Sequence, residues 1–238
     1  MKALLSLLLL CSACAFGQRR VNVETENTGL PPNAFLQSVN GVPATTNIYY
    51  KIVEGSPFFR PEWMKGSVTM VPEKEYKGIT LKLDLMANEL RFRDVKGEEM
   101  ICSEPMRKVV LVDSATGMNY VFAHSSFVEE MASLTPAIWM EVRALGRACL
   151  YTQYKKTISE TRPYGSATLE QYIVTLPIHY LVVNNKYIKV KKMGDVLNAL
   201  TDKKAELQQW LKSHEVDGKS ADGMTQVVEA YNSLFQKS

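Results

Sequence analysis

The stretch from Met64 to Ala123, in which apolar and polar side chains alternate strictly in the best segments, is the feature that most constrains the fold of this chain. In its clearest segment, Ile79-Thr80-Leu81-Lys82-Leu83-Asp84-Leu85, an apolar residue occupies every second position. A strand turns successive side chains to opposite faces, so this pattern gives one dry face and one wet face. A helical period fits such short segments poorly. The stretch therefore predicts short strands.

Turn residues separate these strands at close intervals. Ala87-Asn88, Lys96-Gly97 and the run from Asp113 to Gly117 each interrupt the alternation. Asn and Gly reach the backbone angles that tight turns need, so each break predicts a hairpin. We therefore expect an α+β, mostly β fold, built as an antiparallel β-meander whose sheet is open or rolled.

The strand pattern continues to Val190 and predicts an antiparallel β domain over residues 48–190. The first predicted strand is Ile48–Ile52, and a hairpin around Gly146 joins two of the middle strands. The last predicted strand, Lys186–Val190, follows a turn at Asn184-Asn185.

The period of the apolar residues lengthens after residue 190, which predicts two to three C-terminal helices in residues 191–238. Asp195 is suited to cap the first, and Asp222 to begin the last. Between them, Leu207, Trp210 and Leu211 form one apolar stripe. Since short helices bury little alone, we expect them to pack on or beside the sheet.

The first 17 residues carry the pattern of a secretory signal peptide. Lys2 precedes a short apolar run, and the small residues Ala15 and Gly17 predict cleavage before Gln18. Lipidation at Cys14 is the alternative. Either way, we expect an exported protein of the periplasm or cell surface, with no transmembrane span in the mature chain.

Residues 18–47 are rich in Asn, Thr and Pro and show little periodicity, which predicts a flexible leader. The formal net charge of +3 arises from 28 basic and 25 acidic residues, a balance that argues against a nucleic-acid partner. After cleavage Cys102 and Cys149 remain. Both a disulfide between them and two buried free thiols stay open.

Several segments resemble a group of secreted proteins from Bacteroidetes-type bacteria. They include Gly55–Phe59, Lys65–Val68 and Tyr76–Asp84 near the start, and Lys186–Val190 and Val228–Leu234 near the end. The resemblance extends from about Tyr49 to Leu234. It implies export and a β-meander followed by C-terminal helices, and it implies no site residues.

The sequence carries no motif of catalysis, metal binding or cofactor binding. Its 3 histidines are far apart, and no phosphate-binding glycine loop occurs. His124 followed by Ser125 and Ser126 is too local to predict a nucleophile and its base. We therefore predict no catalytic, cofactor-binding or metal-ligating residues.

Aromatic side chains give the remaining indication of function. Phe58, Phe59, Tyr151 and Tyr154 form a candidate binding surface, although aromatic residues also fill half-buried sheet faces. We predict an exported cell-envelope protein with a non-catalytic binding or scaffolding role. Its partner would be another envelope protein or an apolar ligand.

Two alternative functions stay open. A curved sheet closed by amphipathic helices could carry a lipid or another apolar ligand. A hydrolase could assemble its site from distant loops.

Overall fold

The computed structural model describes residues 29–44, 52–165 and 169–235. The predicted signal peptide, both predicted processing sites and most of the first predicted strand lie outside these residues. None of the helices in the described ranges has the length and apolar character needed to cross a membrane.

Twelve strands form one open, mixed sheet. Their bounds are β1 Gly41–Pro43, β2 Ile52–Glu54, β3 Met64–Met70, β4 Glu75–Asp84, β5 Glu89–Arg93, β6 Glu99–Cys102, β7 Met106–Val112, β8 Asn119–His124, β9 Trp139–Ala144, β10 Cys149–Thr161, β11 Glu170–Val183 and β12 Lys186–Val190. The order across the sheet is β1-β6-β5-β4-β3-β7-β8-β9-β10-β11-β12, and β2 pairs with β11 in parallel.

Within the described ranges, four α-helices accompany the sheet. They are α1 Pro32–Ser38, α2 Met193–Ala199, α3 Lys204–Lys212 and α4 Ala221–Ser233. The predicted α+β, mostly β fold, with a largely antiparallel open sheet and C-terminal helices, is confirmed.

The hairpin turns lie where Asn and Gly interrupt the alternation. Asn88 between β4 and β5 takes a φ of 61°, and Asn184 and Asn185 between β11 and β12 take 53° and 58°. These left-handed angles suit tight hairpins, and Asn tolerates them better than most residues.

The sheet rolls up between β6 and β7. Only residues 103–105 join these strands, yet the strands lie four places apart in the sheet. In a flat sheet that separation would be about 19 Å, because neighbouring strands lie about 4.8 Å apart. Four steps of extended chain span about 14 Å at most. The strands from β6 to β7 must therefore curl around a core.

Three apolar clusters are built on this sheet. The first core fills the curl of the sheet with residues of β3, β4, β5, β6, β7 and β8, which pack around Phe35 of α1. The second core joins β10 and β11 to α2, α3 and α4 through residues such as Leu150 and Val227. The third cluster includes Met131, Met140, Tyr151 and Tyr180.

Residues 29–44, the described part of the predicted flexible leader over residues 18–47, form secondary structure, which corrects the prediction for that part. Residues 29–44 of that range contain α1 and β1. Phe35 is fully buried, and its ring meets the rings of Tyr76 and Phe92 edge-on at centroid distances of 5.3 and 5.1 Å. One apolar side chain thus fixes a segment whose polar composition indicated a linker.

Two helix starts differ from the prediction by a few residues. Asp195 lies inside the first turn of α2, where its carboxylate accepts bonds from the backbone N–H groups of Lys191 and Lys192. Ser220, rather than Asp222, caps α4 by accepting a bond from the N–H of Gly223. Cys102 on β6 and Cys149 on β10 are free thiols; Cys102 is buried as the free-thiol alternative expected, whereas Cys149 is only half-buried.

Asn232 attaches α4 to the turn between β9 and β10. Its Oδ1 accepts a bond of 2.8 Å from the N–H of Ala148, and its Nδ2 donates to the carbonyls of Ala148 and Leu145 at 2.8 and 3.3 Å. Because the site is buried, water cannot replace these partners.

We predict that Asn232→Ala lowers the free energy of unfolding by about 2 kcal/mol, since it leaves buried backbone groups unpaired. Urea denaturation would measure the loss. Gln226→Ala, an exposed change on the same helix, should stay within about 0.5 kcal/mol of the parent. Equal effects of the two changes would show that Asn232 does not anchor the helix.

Candidate functional site

A row of directly paired residues crosses the sheet and changes from apolar to polar at its middle. In order it contains Tyr76, Val68, Val109, Phe122, Glu141, Thr152, His179 and Val190. Directly opposed residues of antiparallel strands share a face. Three polar side chains therefore interrupt an otherwise apolar row, and we call Glu141, Thr152 and His179 the polar seam.

The carboxylate of Glu141 is almost fully buried, with 1% of its residue surface exposed. Its Oε2 accepts a bond of 3.0 Å from Arg143 Nη1 and one of 2.5 Å from the hydroxyl of Tyr154. Burying an unpaired charge costs several kcal/mol, and these two donors offset part of that cost.

A β-bulge aims Arg143 at this carboxylate. Val142 and Ala144 face Tyr151 and Leu150 on β10, so Arg143 is the extra residue of β9. Arg143 is 4% exposed, and its guanidinium also bonds Asp222 at the start of α4. Burial alone would lower the pKa of Arg143, but Glu141, Tyr154 and Asp222 together outweigh burial and raise it.

A cavity of about 470 Å³ opens beside this ion pair, and we call it the seam cavity. Its lining residues are Phe59, Arg60, Tyr120, Arg143, Tyr154, Lys156, Thr175, Ala221 and Asp222. These residues come from the segment before β3, from four neighbouring strands and from the first turn of α4.

Aromatic rings form one wall of the seam cavity. Phe59 packs edge-on against Tyr120 and Phe122, with centroid distances of 4.9 and 4.8 Å, and lies 5.7 Å from the ring of Tyr154. Arg60 Nη2 donates a bond of 3.1 Å to the Tyr120 hydroxyl. Its guanidinium carbon is 5.5 Å from both the Phe59 and the Tyr120 ring centroids.

Two cations of the seam cavity lack an ion-pair partner within the described part of the chain. Arg60 is exposed, and its side chain bonds the hydroxyl of Tyr120. Lys156 is half-buried, and its ammonium donates to Thr175 Oγ1 at 2.8 Å. Burial lowers the pKa of Lys156, because the charged form loses water.

The structure brings together two of the four residues of the candidate binding surface. Phe59 and Tyr154 both line the seam cavity. Tyr151 pairs with Val142 and Tyr180, so it lies on the other face of the sheet, where it is 6% exposed within the third cluster. Phe58 pairs with Asp84 and points away from Phe59.

Phe58 belongs to a stack of cations and aromatic rings. Lys82 Nζ lies 4.2 Å from the Phe58 centroid and 5.4 Å from the Trp63 centroid. Arg91 lies 5.1 Å from Phe58, and Arg93 lies 4.8 Å from Trp63. The stack attaches the segment between β2 and β3 to the sheet, which holds Phe59 and Arg60 in place.

Most charged residues of the seam cavity are absent from the sequence prediction. Arg60 adjoins the predicted aromatic pair, but Glu141, Arg143, Lys156 and Asp222 carry no motif. The one available signal is the placement of Glu141 and Arg143 two residues apart within an apolar strand, which puts both charges on one face.

His124 contacts Ser126, although their spacing indicated poor geometry for a nucleophile and its base. The His124 Nδ1 to Ser126 Oγ distance is 2.7 Å, because a short 3-10 turn folds the chain back. Burial lowers the pKa of His124. In the described residues no carboxylate bonds the other ring nitrogen, so a triad is incomplete there.

Within the described ranges, no three His, Cys, Asp or Glu side chains converge as a metal site. Comparisons of the chain with protein-family models, curated proteins and solved structures found no match.

We predict that Arg143→Met lowers the free energy of unfolding by about 3–5 kcal/mol, because it leaves the Glu141 carboxylate buried without its counter-charge. Chemical denaturation would measure this loss. Arg162 is exposed and directly follows the end of β10. Arg162→Met should therefore change the free energy of unfolding by about 0.5 kcal/mol or less. A loss under about 1 kcal/mol at Arg143 would contradict a buried ion pair.

The polar seam also predicts a pH dependence of stability. Burial, and then the charge of Arg143, lower the pKa of His179 below its ordinary value of about 6.5. The unfolded chain therefore binds more protons, so stability is full above about pH 6.5 and falls as the pH drops towards the folded pKa.

An NMR titration of the His179 ring should show a midpoint below about 6.5. Between pH 7 and 5, His179→Gln should lose less stability than the parent. His124 retains part of the slope, since burial shifts its pKa in the same direction. A His179 midpoint at or above about 6.5 would refute the assignment.

Proposed function

We propose that this protein is an exported, non-catalytic binding protein of the cell envelope whose ligand occupies the seam cavity. One observation carries the proposal. Two cations without carboxylate partners among the described residues, Arg60 and Lys156, face an aromatic-walled cavity beside a buried ion pair.

The construction of the cavity supports binding over a purely structural role. Ligand sites combine aromatic walls with a few fixed polar groups. Here the polar groups are fixed by their own partners, since Arg143 is bonded by Glu141 and Asp222. A sheet that served only as a scaffold could place apolar residues at these positions without burying charge.

Export is supported by the sequence of residues 1–17 and by the resemblance to secreted proteins. The apolar run after Lys2, followed by small residues before Gln18, is typical of a signal peptide. The periplasm or cell surface is the proposed location. Lipidation at Cys14 remains an alternative route to the same side of the membrane.

The two alternative functions receive less support. An apolar ligand in the seam cavity would remove water from Arg60 and Lys156 without supplying acceptors. For a hydrolase, the His124–Ser126 contact lacks a described third group, and the Glu141 carboxylate is held by Arg143 and Tyr154.

Filling the cavity tests the proposal. Ala221 lines the seam cavity at the start of α4, so Ala221→Trp would occupy it. We expect ligand-detected NMR with benzoate, benzamide and benzylamine to show binding of at least one compound to the parent and loss of that binding in the variant. Gln226→Trp, exposed on the same helix, should bind as the parent does.

Binding of no compound by the parent would overturn the assignment of the cavity as a ligand site. So would equal binding by the parent and by Ala221→Trp. Far-ultraviolet circular dichroism and thermal unfolding would verify that both tryptophan variants keep the parent fold.

A further inference from the structure

We propose that the seam cavity selects a monoanion in which a carboxylate is attached to a flat ring. This inference rests on the proposed function of the cavity and names the class of its ligand. The charges, the hydrogen-bond donors and the aromatic wall each support it independently.

The charges around the cavity leave one positive charge unbalanced. Arg60, Arg143 and Lys156 contribute three positive charges, and Glu141 and Asp222 contribute two negative charges, for a net +1. Asp222 is 71% exposed, so water screens its charge most. One negative charge on the ligand would complete the balance, whereas a dianion would leave an excess beside buried Glu141.

Carboxylates outside the lining leave this balance unchanged. Asp84, which acts on Lys156 from a longer range, is itself paired with Arg91 at 2.9 Å. Glu62 and Asp113 act on Arg60 at long range. Glu62 is exposed, so water screens its charge, and Asp113 accepts a backbone bond from Ala115 within its own turn.

The two cations present donors that suit a carboxylate. The planar guanidinium of Arg60 donates one N–H to the Tyr120 hydroxyl. Its other N–H groups donate no hydrogen bond within the described residues. Lys156 donates to Thr175 Oγ1 and has two further N–H groups. Charge-assisted bonds of this kind are short and strong, and guanidinium matches the fork of a carboxylate.

The aromatic wall accounts for the ring. Phe59 and Tyr154 are half-buried, and with Tyr120 they offer ring edges and faces to the cavity. Aromatic pairs at such distances favour offset or edge-to-face contacts with another flat ring. A volume of about 470 Å³ lies in the range of small-molecule sites.

Calorimetric titration with benzoate, benzamide and phenyl phosphate tests this selectivity directly. We expect the parent protein to bind benzoate at least about tenfold more tightly than either of the other two, because only benzoate supplies a single full negative charge next to its ring. Added NaCl should weaken benzoate binding and leave benzamide binding nearly unchanged.

Charge-removing variants assign the effect to the two cations. Arg60→Met and Lys156→Met should each weaken benzoate binding about tenfold or more, with little change for benzamide. Lys155→Met is the matched control, since Lys155 is exposed and points to the other face of β10. It should bind benzoate as the parent does. The salt series needs no variant, so the inference stays testable if a variant fails to fold.

The outcomes separate this inference from the proposed function. Equal binding of benzoate and benzamide, both lost in Ala221→Trp, would keep the cavity as a ligand site and overturn the anion. If Lys155→Met and Lys156→Met weakened benzoate binding equally, the proposed selection of an anion would be overturned as well. Absence of all binding to the parent would overturn both proposals.

Discussion

A buried carboxylate in the middle of a β-sheet is the constraint on which the rest of this structure depends. Glu141 is charged, nearly fully buried and enclosed between two apolar cores, so it needs donors at fixed positions. A bulge in β9 supplies Arg143, and β10 supplies the Tyr154 hydroxyl. Because Arg143 also bonds Asp222, the same ion pair contacts the start of α4, and that junction is one wall of the seam cavity.

The curl of the sheet supplies the opposite wall. The short connection between β6 and β7 forces β3 to β7 to roll around the first core. The chain between β2 and β3 runs from β11 to the end of β4, where Phe58 pairs with Asp84. Since neighbouring residues of an extended segment point to opposite sides, fixing Phe58 in the cation–aromatic stack turns Phe59 towards the polar seam.

Local pattern predicted the strands and hairpins of the meander. The features that it did not predict depend on contacts between distant segments. Alternation around Leu81 and the Asn-containing turns depend on neighbouring residues alone, so they are visible in the sequence. The pairing of β7 with β3, and of β2 with β11, depends on partners remote in the chain. The secondary structure of residues 29–44 also depends on distant partners, because the strands that bury Phe35 come later in the chain.

The candidate surface could have been divided into two sets from spacing alone. Phe58 and Phe59 are adjacent, and Tyr151 and Tyr154 are three apart, so members of each pair must face opposite sides of an extended chain. Spacing does not reveal that Phe59 meets Tyr154, since that contact depends on the register of the strands between β4 and β10. Nor does it reveal Glu141 and Arg143 as buried, because a charge in a strand indicates a solvent-facing side until a helix covers it. The polar seam interrupts an apolar row at the cost of desolvating two charges. Sequence reasoning fails at the same place, as expected where local rules are broken, and the proposed ligand site lies beside it.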